Sequence, residues 1–356
     1  MKLSRTGQVT IAQVAKEAGV STQTVSRVIN NRQEITPETR QRVQEVIQRM
    51  GYHPNVIDRS LSQRRSHTVG VAASGIEYYG PSRTLIGIDQ AANRLGFSII
   101  LNLIHKPEGG DVEQVFHNLI SRQVEGIIWA VPDIGKKRLW LHKEAQRYGT
   151  PCIFTDMQGD KRFNTISMDN HTGGRQATEH LLSQGYRKIG LISGPQNWQS
   201  AQERKQGWKD ALAAAGCSFG ERQIAEGAWT SGSGESGFEK LVESFPDMQA
   251  VFVSNDQMAF GVYQAAWRMG KRIPEDLAVV GFDDIPESAY FCPPLTTVCQ
   301  DLYEMGALAV QAFVNILEAE QNGGPAIDSQ DLVLQPQLVV RQSSVVEKKN
   351  KEYIPQ

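Results

Sequence analysis

Two sets of side chains in this sequence have the types and spacing to do chemistry. Near the N-terminus, Thr22, Gln23, Ser26 and Arg27 share one polar face of a short helical stretch. Glutamine can pair with adenine and arginine with guanine in a DNA major groove. Ser21 and Thr24 beside them suit phosphates, although Ser21 can equally serve as a helix cap. Farther along, polar residues directly follow strand-like apolar runs: Ser74, Asp156, Asn255 with Asp256, and Asp283 with Asp284. Arg204, Gln300 and the indoles of Trp198 and Trp229 complete a plausible polyol site. Arginine and carboxylates bind hydroxyls through charge-assisted hydrogen bonds, and an indole can cover the apolar face of a sugar ring. Taken singly, a strand-end carboxylate is also an ordinary helix cap and a tryptophan an ordinary core residue.

Other chemistries find less support. Gly232-Ser233-Gly234-Glu235-Ser236-Gly237 satisfies GxGxxG, but it lies far from the first strand–helix unit and no clear strand runs straight into it. It reads better as a helix start. There is no P-loop and no GxSxG elbow. The carboxylates could be imagined as a glycosidase pair, yet their placement suits binding better than hydrolysis. The four cysteines are scattered without CxxC and the seven histidines lack zinc spacing, so neither a metal nor a cofactor is expected.

The elements that must hold these residues follow from periodicity. Thr10 can cap a helix whose Ile11, Val14, Ala15 and Ala18 share one apolar face, with Gly19 as its stop. Ser21 can cap a second helix over 22–30, with Val25, Val28 and Ile29 inward. Thr36-Pro37 starts a third, with Val43, Val46, Ile47 and Met50 apolar and Gly51 as its end. Two short helices joined at a glycine and buttressed by a third make a helix-turn-helix. From residue 67 onward, strand candidates at 68–73, 97–103, 126–131, 152–155, 188–193, 250–254 and 277–282 alternate with helical stretches such as 82–95, 173–184, 201–215 and 257–269. That alternation predicts parallel sheets covered by helices, and the pattern restarts near Lys188. Two doubly wound subdomains are expected, with ligands beyond the carboxyl ends of their strands.

Composition agrees. The 356 residues are 40% hydrophobic and 21% charged, an ordinary globular balance, and no apolar run reaches the ~18 residues of a membrane span. The N-terminus carries no apolar signal-peptide core, so a cytoplasmic protein with reduced thiols is expected. The net charge of −2 hides an asymmetry: residues 1–66 hold 11 Lys and Arg against 5 Asp and Glu. A basic head on an acidic body suggests that the head meets a polyanion.

The stretch Val9-Thr10-Ile11-Ala12-Gln13-Val14-Ala15, continuing through Ala18-Gly19-Val20-Ser21-Thr22-Gln23-Thr24-Val25-Ser26-Arg27-Val28-Ile29-Asn30, resembles the DNA-binding head of the LacI/GalR repressor family. The resemblance implies that Thr10, Asn30 and Asn55 join the DNA-contacting set. It also implies a hinge after Gly51-Tyr52-His53-Pro54-Asn55 that becomes helical on DNA, with Leu61 wedged into the minor groove. Arg59, Arg64 and Arg65 would then neutralise phosphates. Without the resemblance, Leu61 is one apolar residue in a basic linker.

The likeness extends to about Arg341, through Ser254-Asn255-Asp256-Gln257-Met258-Ala259, Gly281-Phe282-Asp283-Asp284, Pro293-Pro294-Leu295-Thr296-Thr297 and Gln300-Asp301. It implies a periplasmic-binding-protein-like core whose effector contacts are Asp156, Ser200, Arg204, Trp229, Asn255, Asp283 and Gln300, with Ser74 and Pro81 in the wall. Met168, Trp198 and Tyr78 depart from the sugar-responsive pattern, where an aromatic, a small polar and an aliphatic residue stand; Thr22 replaces a tyrosine in the head. The implied effector is a galactoside-like sugar with an unusual second group. Another sugar or a purine is the alternative, and a transport-type solute-binding protein the more distant one. The implied domains are a head (1–54), a hinge (55–66), a two-lobed core (67–341) and a polar tail (342–356). The N-lobe would take about 67–166 plus 297–328, and the C-lobe about 167–296 plus 329–341. The tail has no leucine heptads, so a homodimer on a palindromic operator is expected rather than a tetramer. The stretch 289–292 is a candidate dimer surface, with core packing an equal reading.

Overall fold

The computed structural model describes residues 9–29, 32, 34–52, 65–105, 111–132, 144–145, 147–157, 163–323 and 329–345. It divides into two units, at His67 and Thr68.

The first unit is built on α1 (Ile11–Ala18), α2 (Thr22–Ile29) and α3 (Pro37–Met50). Each start and stop has a local cause. Thr10 and Gln13 form a reciprocal capping box on α1, and Gly19 closes it at φ 65°, a left-handed conformation that glycine adopts without strain. Ser21 Oγ accepts the Thr24 N–H at 3.1 Å at the start of α2. Thr36 caps α3, Pro37 opens it and Gly51 ends it. Val14, Ala15, Ala18, Val25, Val28, Val43 and Val46 pack into one core with Tyr52. The expected inward residues are therefore inward.

The second unit runs β1 (Thr68–Ala73), α4 (Tyr79–Arg94), β2 (Ser98–Leu103), α5 (Asp111–Ser121), β3 (Gly126–Ala130), β4 (Cys152–Thr155) and β5 (Asn164–Met168). It continues through α6 (Asn170–Ser183), β6 (Ile189–Ser193), α7 (Gln199–Ala214), β7 (Ile224–Glu226), α8 (Ser231–Ser244), β8 (Ala250–Val253), α9 (Asp256–Arg268), β9 (Ala278–Asp283) and β10 (Thr296–Cys299). Then come α10 (Leu302–Gln321), β11 (Asp331–Leu334) and β12 (Gln337–Val339). Two sheets result, in the orders β11-β5-β4-β3-β1-β2 and β12-β10-β9-β8-β6-β7. All pairings are parallel except that of β10 with β12. Each sheet is buried on both faces, which is why its central strands are continuous apolar runs rather than alternating ones.

The lobe boundaries differ from those expected. Residues 297–299 lie in β10 of the C-lobe sheet, and 331–334 form β11 of the N-lobe sheet. The chain therefore crosses between lobes after β5, after β10 and again between β11 and β12. Periodicity cannot assign short strands to a sheet, because a four-residue apolar run fits either edge. The polar tail also starts later than residue 342. Ser343 and Ser344 are fully buried, Ser343 Oγ accepting the Thr296 N–H at 2.7 Å and Ser344 Oγ lying 2.8 Å from His180 Nε2. Among the described residues no helix is long and apolar enough to cross a membrane.

Candidate functional site

Strand ends and helix starts of both lobes converge on a cavity that is partly open to solvent. Asp156 follows β4, Met168 ends β5, Asn255 follows β8, Asp283 ends β9 and Gln300 follows β10. The first turn of α4 contributes Pro81, with Tyr78 just before it; the start of α7 contributes Ser200 and Arg204, with Trp198 just before. Trp229 completes the expected set.

Arg204 is the electrostatic centre. Only 7% exposed, it donates from Nε to Asn170 Oδ1 at 2.8 Å and from Nη1 to the Ser254 carbonyl at 2.5 Å. Nη1 lies 3.7 Å from Asp283 Oδ1, and the guanidinium stands 3.7 Å from the Phe282 ring centroid. Its depth depends on two glycines. A Cβ on Gly174 would strike the Arg204 backbone, and one on Gly207 would strike the His171 carbonyl and the Arg175 N–H. Their absence lets α6 and α7 touch backbone to backbone.

Asp283 accepts the Gln300 side-chain N–H at 2.7 Å and has φ 112°, a conformation costly for a side chain with a Cβ. Burial pushes its carboxyl up to about 6, while Arg204 and Gln300 pull it back. Burial likewise lowers Arg204, opposed chiefly by the charge of Asp283 and then of Asp156. Behind them Asp256 is wholly buried and accepts from Ile285 N, Ser288 Oγ and Thr297 Oγ1 at 2.6–3.0 Å. Burial and the neighbouring Asp283 raise it to about 7. Asp156 and Trp229 also have positive φ, 61° and 64°.

Of the expected cavity residues, Tyr78, Pro81, Asp156, Met168, Trp198, Ser200, Arg204, Trp229, Asn255, Asp283 and Gln300 all line it. Ser74 does not. It is 3% exposed, and the turn after it, where the Tyr78 N–H meets the Gly75 carbonyl at 2.9 Å, brings Tyr78 and Pro81 to the wall instead. Asn255 has its hydrogen bonds committed. It caps α9 by accepting the Met258 N–H at 2.9 Å and donates to the Trp229 backbone carbonyl at 3.1 Å, so it ties down the backbone at Trp229. Sequence reasoning missed Asn170, Leu302 and Met305, which also line the cavity. Asn170 had one available signal, the Asp169-Asn170 pair at a helix start, but β5 before it was not recognised as a strand. The GxGxxG stretch is the start of α8. A Cβ on Gly234 would strike the Met258 backbone, so that glycine serves helix packing against α9.

In the first unit Thr22, Gln23 and Arg27 are exposed and Thr24 and Ser26 half-buried, all on α2. Arg27 Nε lies 3.8 Å from Glu34. Thr10 and Ser21 are engaged as caps. Asn30, Asn55, Arg59 and Leu61 lie outside the described residues.

Residues 10–55 match the family described as bacterial regulatory proteins, lacI family, and residues 178–344 match the periplasmic binding protein-like domain. The chain is 32% identical to the lactose operon repressor of Escherichia coli over 88% of its own length and 86% of that protein. It is equally, 32%, identical to the ribose operon repressor of Haemophilus influenzae, over 94% of its own length and 98% of that protein. Among solved structures, the lac repressor dimer bound to operator and the anti-inducer ONPF superimposes with a TM-score of 0.82 at 29% identity, over 95% of this chain and 100% of that one.

Proposed function

Because this chain belongs to the lacI family of bacterial regulatory proteins, DNA-binding transcriptional repressors rather than enzymes, we propose that its grip on a palindromic operator is controlled by a neutral sugar held in the cavity between its lobes. The single observation that carries the ligand class is the buried Arg204–Asp283 pair, with Asp156 nearby and Trp229 alongside. Two carboxylates facing one guanidinium offer hydroxyls both acceptors and donors. They disfavour a phosphate, which wants several basic groups or a free helix N-terminus. The retained hydroxyl-binding set supports a galactose-type ring, and the altered residues Tyr78, Met168 and Trp198 support a different group attached to it.

On DNA, Gln23 and Arg27 read base edges with Thr22, on the face they share with Ser26, while Ser21 and Thr24 suit phosphates. The hinge around Leu61 folds in the minor groove. The working form is a homodimer, since a palindrome presents two related half-sites. The stretch 289–292 divides between both roles weighed for it: Tyr290 is 87% exposed, whereas Phe291 is 9% exposed and packs on Phe260 and Tyr263. With Phe260 itself 56% exposed, this edge is an apolar surface suited to a second copy. Sugar binding shifts the relative orientation of the lobes, and by linkage weakens operator binding.

The test is a salt-controlled titration of the full chain on a lactose-type palindrome, with and without galactosides. Loss of binding on adding a galactoside supports the repressor, the ligand class and the sign of coupling together. Binding indifferent to galactosides, with tight purine binding by calorimetry, overturns the sugar reading.

A further inference from the structure

Of the side chains proposed above to read bases, Arg27 already has a partner. It lies in the last turn of α2, and its Nε stands 3.8 Å from Glu34 Oε2, an ion-pair distance. Both side chains are exposed, at 45% and 70%. Among the described residues no other side chain meets the Arg27 guanidinium, so Nη1 and Nη2 are left without a partner. Glu34 is brought there by the segment between α2 and α3, which is tied at several points. The Arg32 N–H donates to the Arg27 carbonyl at 3.0 Å. The Arg32 carbonyl in turn accepts from Arg40 Nη2 of α3 at 2.5 Å. Ile35 packs against the head core and Thr36 caps α3. With both helices gripping this segment, the Glu34 carboxylate lands beside Arg27.

The pair has little to offer folding, since an ion pair this exposed contributes almost nothing to stability. For binding a polyanion the carboxylate is a cost, because a negative charge near the reading face repels phosphates. What it supplies is geometry. A guanidinium is planar and carries N–H groups on three nitrogens, so it can meet guanine O6 and N7 with its Nε edge or with its two Nη groups. A carboxylate on the Nε edge blocks the first approach and leaves the second. We propose that Glu34 is a positioning residue for base reading: its carboxylate buttresses Arg27 from the Nε side and presents Nη1 and Nη2 to a guanine. The inference rests on the reading of Arg27 as a base contact. A side chain held in this way loses less rotamer freedom on binding. Discrimination in favour of guanine therefore rises, while affinity for DNA in general falls. Lysine, a point charge without such edges, cannot be aimed by a buttress.

The test is selection by the full chain from a random palindromic duplex library. Titration follows at one salt concentration, on the enriched duplex and on versions with each symmetric base pair replaced. Arg27→Lys identifies the pair that Arg27 reads, as the one whose guanine preference it lowers. The wild type is expected to prefer guanine there by about tenfold or more. Glu34→Gln and Glu34→Ala are each expected to cut that preference by about threefold while tightening binding to unrelated duplex. The melting temperature of both variants is expected to hold. In the Arg27→Lys background the same Glu34 variants are expected to strengthen binding to all sequences alike. A guanine preference unchanged in both Glu34 variants overturns the buttress and leaves the reading of Arg27 standing. A loss of equal size in the Arg27→Lys background also overturns it, because Glu34 would then act on the DNA directly. If no duplex is enriched, or if Arg27→Lys lowers guanine preference at no pair, the base-reading role of Arg27 and the buttress fall together.

Discussion

Arg204 and Asp283, 7% and 6% exposed, sit where neither charge is stable alone. Removing one partner of such a pair leaves the other buried and uncompensated, typically at a cost of about 3–5 kcal/mol. Asn170 is the subtler member, since it fixes the plane of the guanidinium through Nε while its own amide donates to the Met168 carbonyl at 3.2 Å. A hydrogen bond to a charged group contributes about 1.5–3 kcal/mol. Asn170→Ala is therefore expected to weaken effector binding by roughly ten- to a hundredfold while operator binding without effector persists. Calorimetry and a DNA titration on the same variant check both halves. The carboxyls also set a pH dependence. Asp283 and Asp256, raised to about 6 and about 7, take up protons in the folded chain before they would in the unfolded one. Folding then binds protons, so stability rises as the pH falls from 8 toward 6.5 and is lost in the opposite direction. His180, lowered by burial, opposes this as the pH falls through the ordinary histidine range, where the unfolded chain takes up the proton first. The urea midpoint is expected to climb between pH 8 and 6.5, and a flat or falling midpoint would count against it. Effector affinity should decline below pH 6.5, as Asp283 loses the charge that faces Arg204.

At the scale of elements, one close helix contact carries the site. The α6–α7 crossing is as close as it is because Gly174 and Gly207 face backbone. Gly207→Ala forces the helices apart, and overpacking of this kind costs about 1–3 kcal/mol. It is expected to lower the melting temperature and, by tilting α7, to weaken effector binding beyond what the stability loss explains. Gly216→Ala, at φ 66° with open space around it, is a suitable control for backbone strain alone. In the head, Thr10 closes a capping box with Gln13. Thr10→Ala should cost the head about 1 kcal/mol. Thermal melting followed by circular dichroism separates that loss from any phosphate contact, which would appear as a changed salt slope in DNA binding.

For the molecule as a whole, a repressor of this kind links two equilibria. If a sugar weakens operator binding by some factor, operator must weaken sugar binding by the same factor. Measuring the effector dissociation constant with and without saturating operator checks this directly, and unequal factors would break the proposed coupling. Operator affinity should fall steeply and linearly on a logarithmic salt axis, because phosphate neutralisation releases counterions. Light scattering at micromolar concentration is expected to give a dimer, and a monomer both with and without DNA would contradict it.

The head was almost wholly legible in the amino-acid order. Its caps, stops and inward valines are set by contacts within a few residues, and Thr10, Gly19, Thr36 and Gly51 stand where local backbone chemistry demands. The alternation of strands and helices in the core was legible for the same reason, because buried parallel strands are apolar over their whole length. So were Asp156, Asn255 and Asp283, since a strand end in a doubly wound sheet faces the ligand side by topology, whereas Tyr78, Pro81, Met168 and Ser200 were legible only through the family resemblance. The exchange of β10 and β11 between lobes was not, because four apolar residues hydrogen-bond equally well to either sheet edge and only packing of the surrounding helices chooses. Nor were the commitment of Asn255 to Trp229, the grip of Asn170 on Arg204, or the meeting of Tyr78 with Trp198. Those partners are separated by 26, 34 and 120 positions along the chain. The first two pairs meet where helices and strands of one lobe pack, and the third where the two lobes come to rest, neither of which a local pattern of side chains encodes.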